Sequence, residues 1–225
     1  MNALIIAIDG PSGVGKGTVS RAVARALGYR YVDTGAMYRA VAWSALRQGL
    51  PLDDEERMTR VAQHTAIEVE GERVLVDGID ATRALRTAEM DQASSTVSRL
   101  PGVRAVLVQR QRELGAEGGV VVEGRDIGTV VFPAADVKIY LDATPEERAR
   151  RRASDPAHAA ARDLPLAAVV DELEVRDTRD RTRAASPLSI AADATLIDTT
   201  KLSIAEVVER VLEAVRAKAV GSRRD

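Results

Sequence analysis

Short apolar runs alternate with amphipathic segments along most of this chain. Several runs are rich in isoleucine and valine, as in strands that are buried on both faces of a parallel sheet. They cover Leu4–Asp9, Tyr29–Asp33, Val120–Val122, Val137–Leu141 and Ala194–Ile197. Strands that alternate with helices predict the α/β fold class, with a five-stranded parallel sheet flanked by helices.

The segments between these runs carry helical periodicity and helix-end signals. In Gly17–Gly28, apolar residues recur at helical spacing, and a glycine is placed to end the helix. Further helices are predicted at about Ala36–Gln48 and at Pro101–Gly115. Capping signals at Thr144–Glu147 and Ser203–Glu206 predict two more helix starts.

One stretch breaks this alternation. The segment Ile67–Val76, followed by Asp77–Gly78, predicts short antiparallel strands, because Asp-Gly tolerates the positive φ of tight turns. We therefore expect residues 60–95 to form an insertion outside the main sheet. A chain of 225 residues with 45% hydrophobic content is long enough for one well-packed core, so we expect residues 1–225 to form a single domain.

Composition argues against several classes of function. The formal net charge of -2 provides no basic excess, so we expect neither a nucleic-acid partner nor a membrane-surface partner. The absence of cysteine excludes disulfides, thiol nucleophiles and cysteine-bound metals, and His64 and His158 lack metal-ligand spacing. The first apolar run ends at Asp9, too early for a membrane span or a signal segment, and predicts a cytoplasmic protein.

A glycine-rich segment joins the first predicted strand to the first predicted helix. Its glycine, four residues and Gly-Lys match the spacing of a P-loop. Such a loop turns backbone N–H groups towards phosphate, and Lys16 adds a cation for the β and γ oxygens. The residues expected to bind the nucleotide phosphates are Gly10, Pro11, Ser12, Gly13, Val14, Gly15, Lys16, Gly17 and Thr18.

The loop departs from the usual pattern at one position. Gly17 replaces the hydroxyl residue that normally follows the lysine, and Thr18 comes one position later. P-loop GTPases and ATPases use that hydroxyl on Mg²⁺. The Gly-Lys-Gly-Thr order resembles nucleoside monophosphate kinases. That resemblance implies Mg²⁺ held mainly through water and the nucleotides, with no direct protein ligand.

Three further polar blocks follow along the chain, and two of them stand at the carboxyl ends of strands, where ligands bind in α/β folds. Asp33–Arg39 follows the second predicted strand and Glu123–Thr129 follows the third, while Arg176–Arg183 ends a predicted helix. Thr34 is placed to cap a helix, and Arg39 offers a fork that matches phosphate. A capped helix, a structural ion pair and a solvated charge run remain the alternative interpretations of the three blocks.

Together, these blocks resemble the bacterial cytidylate kinase family over nearly the full chain. The matching blocks are Asp9–Thr18, Asp33–Arg39, Gly124–Pro133 and Arg176–Arg183. The resemblance implies transfer of the γ-phosphoryl group of ATP, with Mg²⁺, to CMP or dCMP in pyrimidine nucleotide metabolism. It also implies an acceptor-binding subdomain at about 34–105 and an arginine-rich lid at about 148–165. We expect a monomer whose partners are these small molecules.

The same resemblance implies roles for individual residues. The catalytic residues would be Lys16, Arg125 and Arg183. The acceptor phosphate would contact Arg39, Arg125 and Arg183, the sugar would contact Tyr38, Arg176 and Asp180, and the base would contact Ser95, Arg104 and Asp126. Thr34 stands where the family has a serine and keeps the hydroxyl. Asp126 suits the exocyclic amine of cytosine, whereas uracil reverses that demand.

Other functions stay open at this point. The nearest alternative is a P-loop kinase for another small acceptor, such as UMP, AMP, dTMP or shikimate. A switch GTPase would use an Asn-Lys-x-Asp motif, and the only asparagine in the chain is Asn2. A nucleic-acid-stimulated ATPase is disfavoured, because an aromatic content of 3% leaves few stacking platforms.

Overall fold

A parallel sheet lies at the centre of the computed structural model, which describes residues 3–70, 73–155 and 164–221. The strands of this part of the chain are β1 (Ile5–Asp9), β2 (Arg30–Asp33), β3 (Ile67–Glu70), β4 (Arg73–Val76), β5 (Ile79–Asp80), β6 (Val120–Gly124), β7 (Val137–Asp142) and β8 (Thr195–Asp198). Its α-helices are α1 (Lys16–Leu27), α2 (Thr34–Arg47), α3 (Glu55–His64), α4 (Ala88–Val97), α5 (Pro101–Gly115), α6 (Pro145–Ser154), α7 (Leu166–Thr182) and α8 (Ile204–Gly221). The main sheet has the order β2-β6-β1-β7-β8 with every pair parallel, which confirms the predicted α/β class.

The central strands of this sheet are buried on both faces. Ile6 and Ile8 of β1 pack on one face with Val23 of α1 and Val211 of α8. Ala7 lies between them in sequence and packs in a second apolar cluster, because successive side chains of a strand point to opposite faces. This two-sided burial explains why the strands appear in the sequence as nearly continuous apolar runs.

The chain between β2 and β6 builds a separate layer with its own apolar cluster. The cluster joins α2, α3, α4 and α5, and its large members include Met37, Val41, Met58, Met90 and Leu107. Strands β3, β4 and β5 form a small antiparallel sheet beside α2, which confirms the antiparallel strands predicted for this region. Because β2 and β6 are adjacent strands of the main sheet, the chain leaves this sheet after β2, forms the separate layer and returns to the sheet at β6.

Two helices of this layer were not predicted from the sequence. Helix α3 begins after Asp54, whose carboxylate accepts a hydrogen bond from the Arg57 amide at 3.0 Å. Helix α4 begins after Thr87, whose hydroxyl accepts from the Met90 amide at 3.2 Å. Both caps satisfy amides that a helix start leaves without an intrahelical partner.

The predicted lid is described only in part. Residues 156–163 lie outside the described residues, whereas Arg148 lies in α6 and is buried. The described helices include none that is long and apolar enough to cross a membrane.

Candidate active site

A cavity of about 930 Å³ opens at the carboxyl edge of the main sheet. Its lining contains ten cationic and seven anionic side chains, so it is suited to an anionic ligand. All the site residues predicted from the sequence line this cavity, except Gly10 and Pro11. The cavity therefore joins the P-loop to the three polar blocks that follow it along the chain.

The P-loop adopts backbone conformations that glycine permits. Gly10, Gly13 and Gly15 have φ values of 149°, 82° and 88°. A Cβ at Gly10 would lie 2.2 Å from the carbonyl oxygen of Leu141, and one at Gly13 would lie 2.9 Å from that of Arg148. The loop is thus pressed against β7 and α6, and side chains at these two positions would displace it.

Lys16 begins α1 and is 8% exposed. Its Nζ donates a hydrogen bond to the carbonyl oxygen of Pro11 at 2.7 Å. Burial, assisted by the positive charge of Arg125, lowers the pKa of Lys16 to about 7. A nearby phosphate would favour the charged ammonium and raise this pKa again.

The position that lacks the usual hydroxyl is crowded. A Cβ at Gly17 would lie 3.1 Å from Glu123 Oε1, an oxygen that accepts a hydrogen bond from the Tyr31 hydroxyl. Burial raises the pKa of Glu123, and the nearby carboxylate of Asp33 adds to the effect. Burial likewise raises the pKa of the Tyr31 hydroxyl, with Glu123 as the next cause. A carboxylate therefore lies beside Gly17, where other P-loops have a hydroxyl.

Asp9 fixes the backbone that follows β6. Its carboxylate accepts hydrogen bonds from the amides of Ile127 at 2.9 Å and Gly128 at 2.7 Å. These amides start a π-helical turn, Ile127–Val131, directly after Asp126. Burial raises the pKa of Asp9 to about 6, although both amide hydrogen bonds oppose the change. Asp9 thereby links the strand that leads into the P-loop to the segment that carries Asp126.

A buried polar group surrounds Asp126. Its carboxylate pairs with Arg104, and its other oxygen lies 3.3 Å from an Arg183 nitrogen. The Arg104 guanidinium also lies over the Tyr38 ring, 5.4 Å from the ring centre. Within the described part of the chain, the Ser95 hydroxyl and Arg104 Nε are buried without a hydrogen-bond partner. Ser95 and Arg104 both belong to the cavity lining, so their unused donors are candidates for hydrogen bonds to a polar ligand.

A second ion pair joins β6 to α7. Arg125 Nε donates to Asp180 at 2.9 Å. Burial acts to raise the pKa of Asp180, but Arg125 and neighbouring arginines outweigh it, so the pKa is lowered. Arg176 also lines the cavity, while Arg179 and Arg181 in the same charged block are exposed and lie outside its lining. The charged block is therefore divided between a cavity face and a solvated face.

The block after β2 differs from the prediction in one respect. Asp33, and not Thr34, caps α2, since its carboxylate accepts from the Ala36 amide at 2.9 Å. The prediction of a Thr34 cap is therefore wrong, because the carboxylate one residue earlier already occupies that role. The Thr34 hydroxyl instead donates to the carbonyl oxygen of Glu123 at 2.7 Å. Arg39 pairs with Asp33 at 2.9 Å.

The other end of the cavity was not assigned from the sequence. Arg151 donates to the carbonyl oxygen of Thr199 at 2.6 Å and to that of Val14 at 3.3 Å. Leu202 and Ile204 line this end of the cavity. Ile204 is the first residue of α8, and its side chain is 57% exposed. Apolar walls next to a P-loop suit a flat base.

Three carboxylates and one arginine with prominent contacts carried no role in the sequence analysis: Asp33, Asp91, Asp177 and Arg148. The partners of Asp91, Asp177 and Arg148 lie far away in sequence, so no local motif marks these three residues. Asp33 pairs with Arg39 inside its own block, where the sequence analysis gave it no role. No cluster of three or more histidine, aspartate or glutamate side chains in residues 3–70, 73–155 and 164–221 is arranged to hold a metal ion.

Comparison with known proteins finds relatives over nearly the whole chain. The family model described as Cytidylate kinase matches residues 6–217. A cytidylate kinase of Solibacter usitatus (strain Ellin6076) is 47% identical, over 98% of this chain and 95% of its own. One of Desulfitobacterium hafniense (strain Y51) is 50% identical, over 93% and 91%. A solved gluconokinase of Sinorhizobium meliloti 1021 shares the fold, with a TM-score of 0.52, 16% identity and coverage of 100% and 98%.

Proposed function

The chain belongs to the cytidylate kinase family, and we propose on that premise that it transfers the γ-phosphoryl group of ATP to CMP or dCMP, giving ADP and CDP or dCDP. The observation that carries the proposal is the buried group of Ser95, Arg104 and Asp126, which lines the same cavity as the P-loop. One cavity thus offers a triphosphate site and a polar site for a second ligand.

The polar group suits the edge of cytosine. Asp126 accepts from two arginines, and a carboxylate has about four lone-pair sites, so it retains capacity for the exocyclic amine. Ser95 and Arg104 keep unused donors for the ring nitrogen and the carbonyl oxygen. Uracil presents a carbonyl where cytosine presents the amine, and it would leave buried groups mispaired.

The donor phosphates would lie in the P-loop. Its backbone amides and the N-terminus of α1 favour negative charge, and Lys16 supplies a cation. The Ser12 amide is an exception, because it already donates to Asp177 at 3.0 Å. Arg151, Leu202 and Ile204 would border the adenine end.

Transfer breaks the bond between the γ-phosphorus and the β–γ bridging oxygen, and it forms a bond to an acceptor phosphate oxygen. The protein contributes alignment and charge neutralisation rather than covalent chemistry. We assign Lys16, Arg125 and Arg183 to the transferring group, and Arg39 with Arg125 and Arg183 to the acceptor phosphate. The ion pairs described above hold several of these guanidinium groups in place before the substrate arrives.

The residues present fit Mg²⁺ that is held mainly by nucleotide oxygens and water. Gly17 provides no hydroxyl ligand, and the carboxyl group of Glu123 beside it would accept hydrogen bonds from water bound to the metal. When bound, Mg²⁺ neutralises charge that spreads over the β- and γ-phosphates.

Tyr38, Arg176 and Asp180 are assigned to the sugar, with Thr34 at the edge of the same site. An Asp180 contact to the 3′-hydroxyl would accept both ribose and deoxyribose. The same proposal includes an acceptor-binding subdomain at about 34–105, a lid at about 148–165, a monomeric state and a cytoplasmic location.

The test is the acceptor dependence of ADP formation from ATP and Mg²⁺. We expect slow ATP hydrolysis alone and rapid ADP formation with CMP, because a closed site excludes water from the γ-phosphate. Equal rates with and without CMP would contradict the proposal.

A further inference from the structure

Asp91 lies near the start of α4 and contacts arginines from three other helices. Its Oδ2 lies 2.7 Å from a nitrogen of Arg152 in α6 and 3.4 Å from one of Arg176 in α7. Its Oδ1 lies 4.0 Å from a nitrogen of Arg39 in α2. All four residues line the cavity, and Asp91 is 8% exposed.

The contacts of Asp91 cross the cavity. Helices α2 and α4 belong to the layer between β2 and β6, whereas α6 and α7 follow β7. Convergent guanidinium groups are the arrangement that binds a phosphate. Asp91 is thus an anion among groups that are suited to bind the anionic part of a ligand.

We propose that Asp91 is a positioning residue that stands in for the acceptor phosphate in the empty enzyme. It holds the guanidinium groups of Arg152 and Arg176 beside that of Arg39. When the acceptor binds, Asp91 shares Arg39 and Arg152 with the phosphate, while Arg176 contacts the sugar. This inference rests on the proposed function, because it requires an acceptor that carries a phosphate.

The charge of Asp91 has a predictable effect on affinity. A carboxylate close to a phosphate dianion repels it, so the enzyme binds the acceptor less tightly than its arginines alone would allow. The same repulsion acts on the phosphorylated product and speeds its release. Arg39 also pairs with Asp33 at 2.9 Å, so it stays in place when the charge of Asp91 is removed.

The variant Asp91→Asn removes the charge and keeps the size and one acceptor oxygen. We expect it to bind CMP about tenfold more tightly, as measured by calorimetry without ATP, because one nearby repulsive charge is gone. Cytidine lacks the phosphate, so we expect its affinity to stay unchanged. In steady state, both the KM for CMP and kcat should fall, since the product leaves more slowly.

Glu89→Gln is the matched control. Glu89 is an exposed carboxylate on the same helix and lies outside the cavity lining, so its replacement should change neither affinity. Unchanged cytidine binding by Asp91→Asn also shows that its pocket is folded. Asp91→Ser, which removes the charge with a smaller polar side chain, provides a second folded variant if the asparagine is unstable.

Two results would overturn the inference. Equal loss of CMP and cytidine affinity in a folded variant would mean that Asp91 holds the sugar or the pocket. Unchanged affinity for CMP would mean that its charge does not act on the phosphate. Failure of the proposed function is distinguishable from both, because the unmodified enzyme would then neither bind nor phosphorylate CMP.

Discussion

Arg148 and Asp177 form a buried ion pair, and each of the two side chains also binds a backbone group of Ser12 in the P-loop. Asp177 accepts from the Ser12 amide at 3.0 Å, and Arg148 donates to the Ser12 carbonyl oxygen at 3.2 Å. Asp177 belongs to α7, the helix that also presents Arg176 to the cavity. One helix therefore supports the phosphate loop and contributes to the acceptor side.

Breaking this pair should destabilise the fold and misplace the loop. We expect Asp177→Asn to lower the free energy of unfolding by about 3–5 kcal/mol, because it leaves the Arg148 charge buried and unpaired. We also expect turnover to fall about 100-fold through misaligned phosphates. Denaturant unfolding and steady-state kinetics measure the two effects, and Asp171→Asn on the exposed side of α7 is the control.

The double variant Arg148→Met, Asp177→Leu separates stability from positioning. Replacing a buried ion pair by apolar side chains is often neutral for stability. The free energy of unfolding of the double variant should therefore be close to that of the unmodified enzyme. The KM for ATP should be higher than that of the unmodified enzyme, because both hydrogen bonds to Ser12 are lost. If the double variant recovered both its stability and a normal KM for ATP, Arg148 and Asp177 would not be needed to position the P-loop.

Two glycines of the P-loop should differ in their tolerance of a side chain. Gly10→Ala places a Cβ against the Leu141 carbonyl, whereas a Cβ at Gly15 meets nothing within 4 Å. We expect Gly10→Ala to cost about 3 kcal/mol of unfolding free energy or more, through overpacking. Gly15→Ala should cost about 1–2 kcal/mol, from its φ alone. Equal losses in thermal or denaturant unfolding would contradict the packing described for Gly10.

The pKa of Lys16 predicts a pH-dependent affinity for ATP. In the empty site this pKa is lowered to about 7, so above that pH the amine is mostly neutral. Phosphate binding favours the ammonium, so ATP binding should take up a proton above about pH 7 and weaken by up to tenfold per pH unit. Below about pH 7 this dependence should vanish, because the lysine is already charged.

Calorimetry of ATP–Mg²⁺ binding at about pH 8.5, in two buffers with different ionisation enthalpies, measures the proton uptake. Lys16→Arg keeps the charge throughout this range, so it should show no uptake. Equal proton uptake in the arginine variant would assign the titration to another group.

Lys16→Ala should lower kcat by about two to four orders of magnitude while the protein stays folded.

Asp126 should determine the choice of base. Asparagine offers both a donor and an acceptor, so Asp126→Asn should lower kcat/KM for CMP by about 100-fold or more. The ratio of kcat/KM for CMP to kcat/KM for UMP should also fall. The ratio is the informative quantity, because loss of the Arg104 pair would lower the use of both acceptors. An unchanged ratio would exclude Asp126 from base recognition.

Local patterns predicted the parts of the site that depend on neighbours in sequence. The P-loop followed from the spacing of Gly10, Gly15 and Lys16 after an apolar run. The blocks that begin at Asp33 and Glu123 were expected at one edge, because the carboxyl ends of parallel strands meet there, and β2 and β6 are paired in this way.

Features that depend on tertiary contacts gave no such signal. Asp91 meets Arg152 across 61 residues of sequence, and Asp9 meets the Ile127 amide across 118. Helix α3 was missed because it buries only a narrow stripe, which leaves a sparse apolar pattern within a charged segment. The cap of α2 was misassigned to Thr34, since both it and Asp33 are good capping residues.

The most direct test is ADP production from ATP–Mg²⁺ by the unmodified enzyme with CMP, dCMP, UMP, AMP, GMP and dTMP in parallel. We predict strong activity with CMP and dCMP and weak activity with the others, because the Asp126 group suits the cytosine edge. Strong activity confined to a different acceptor would contradict the assignment of that group, and activity with none of the six would contradict the proposed function itself.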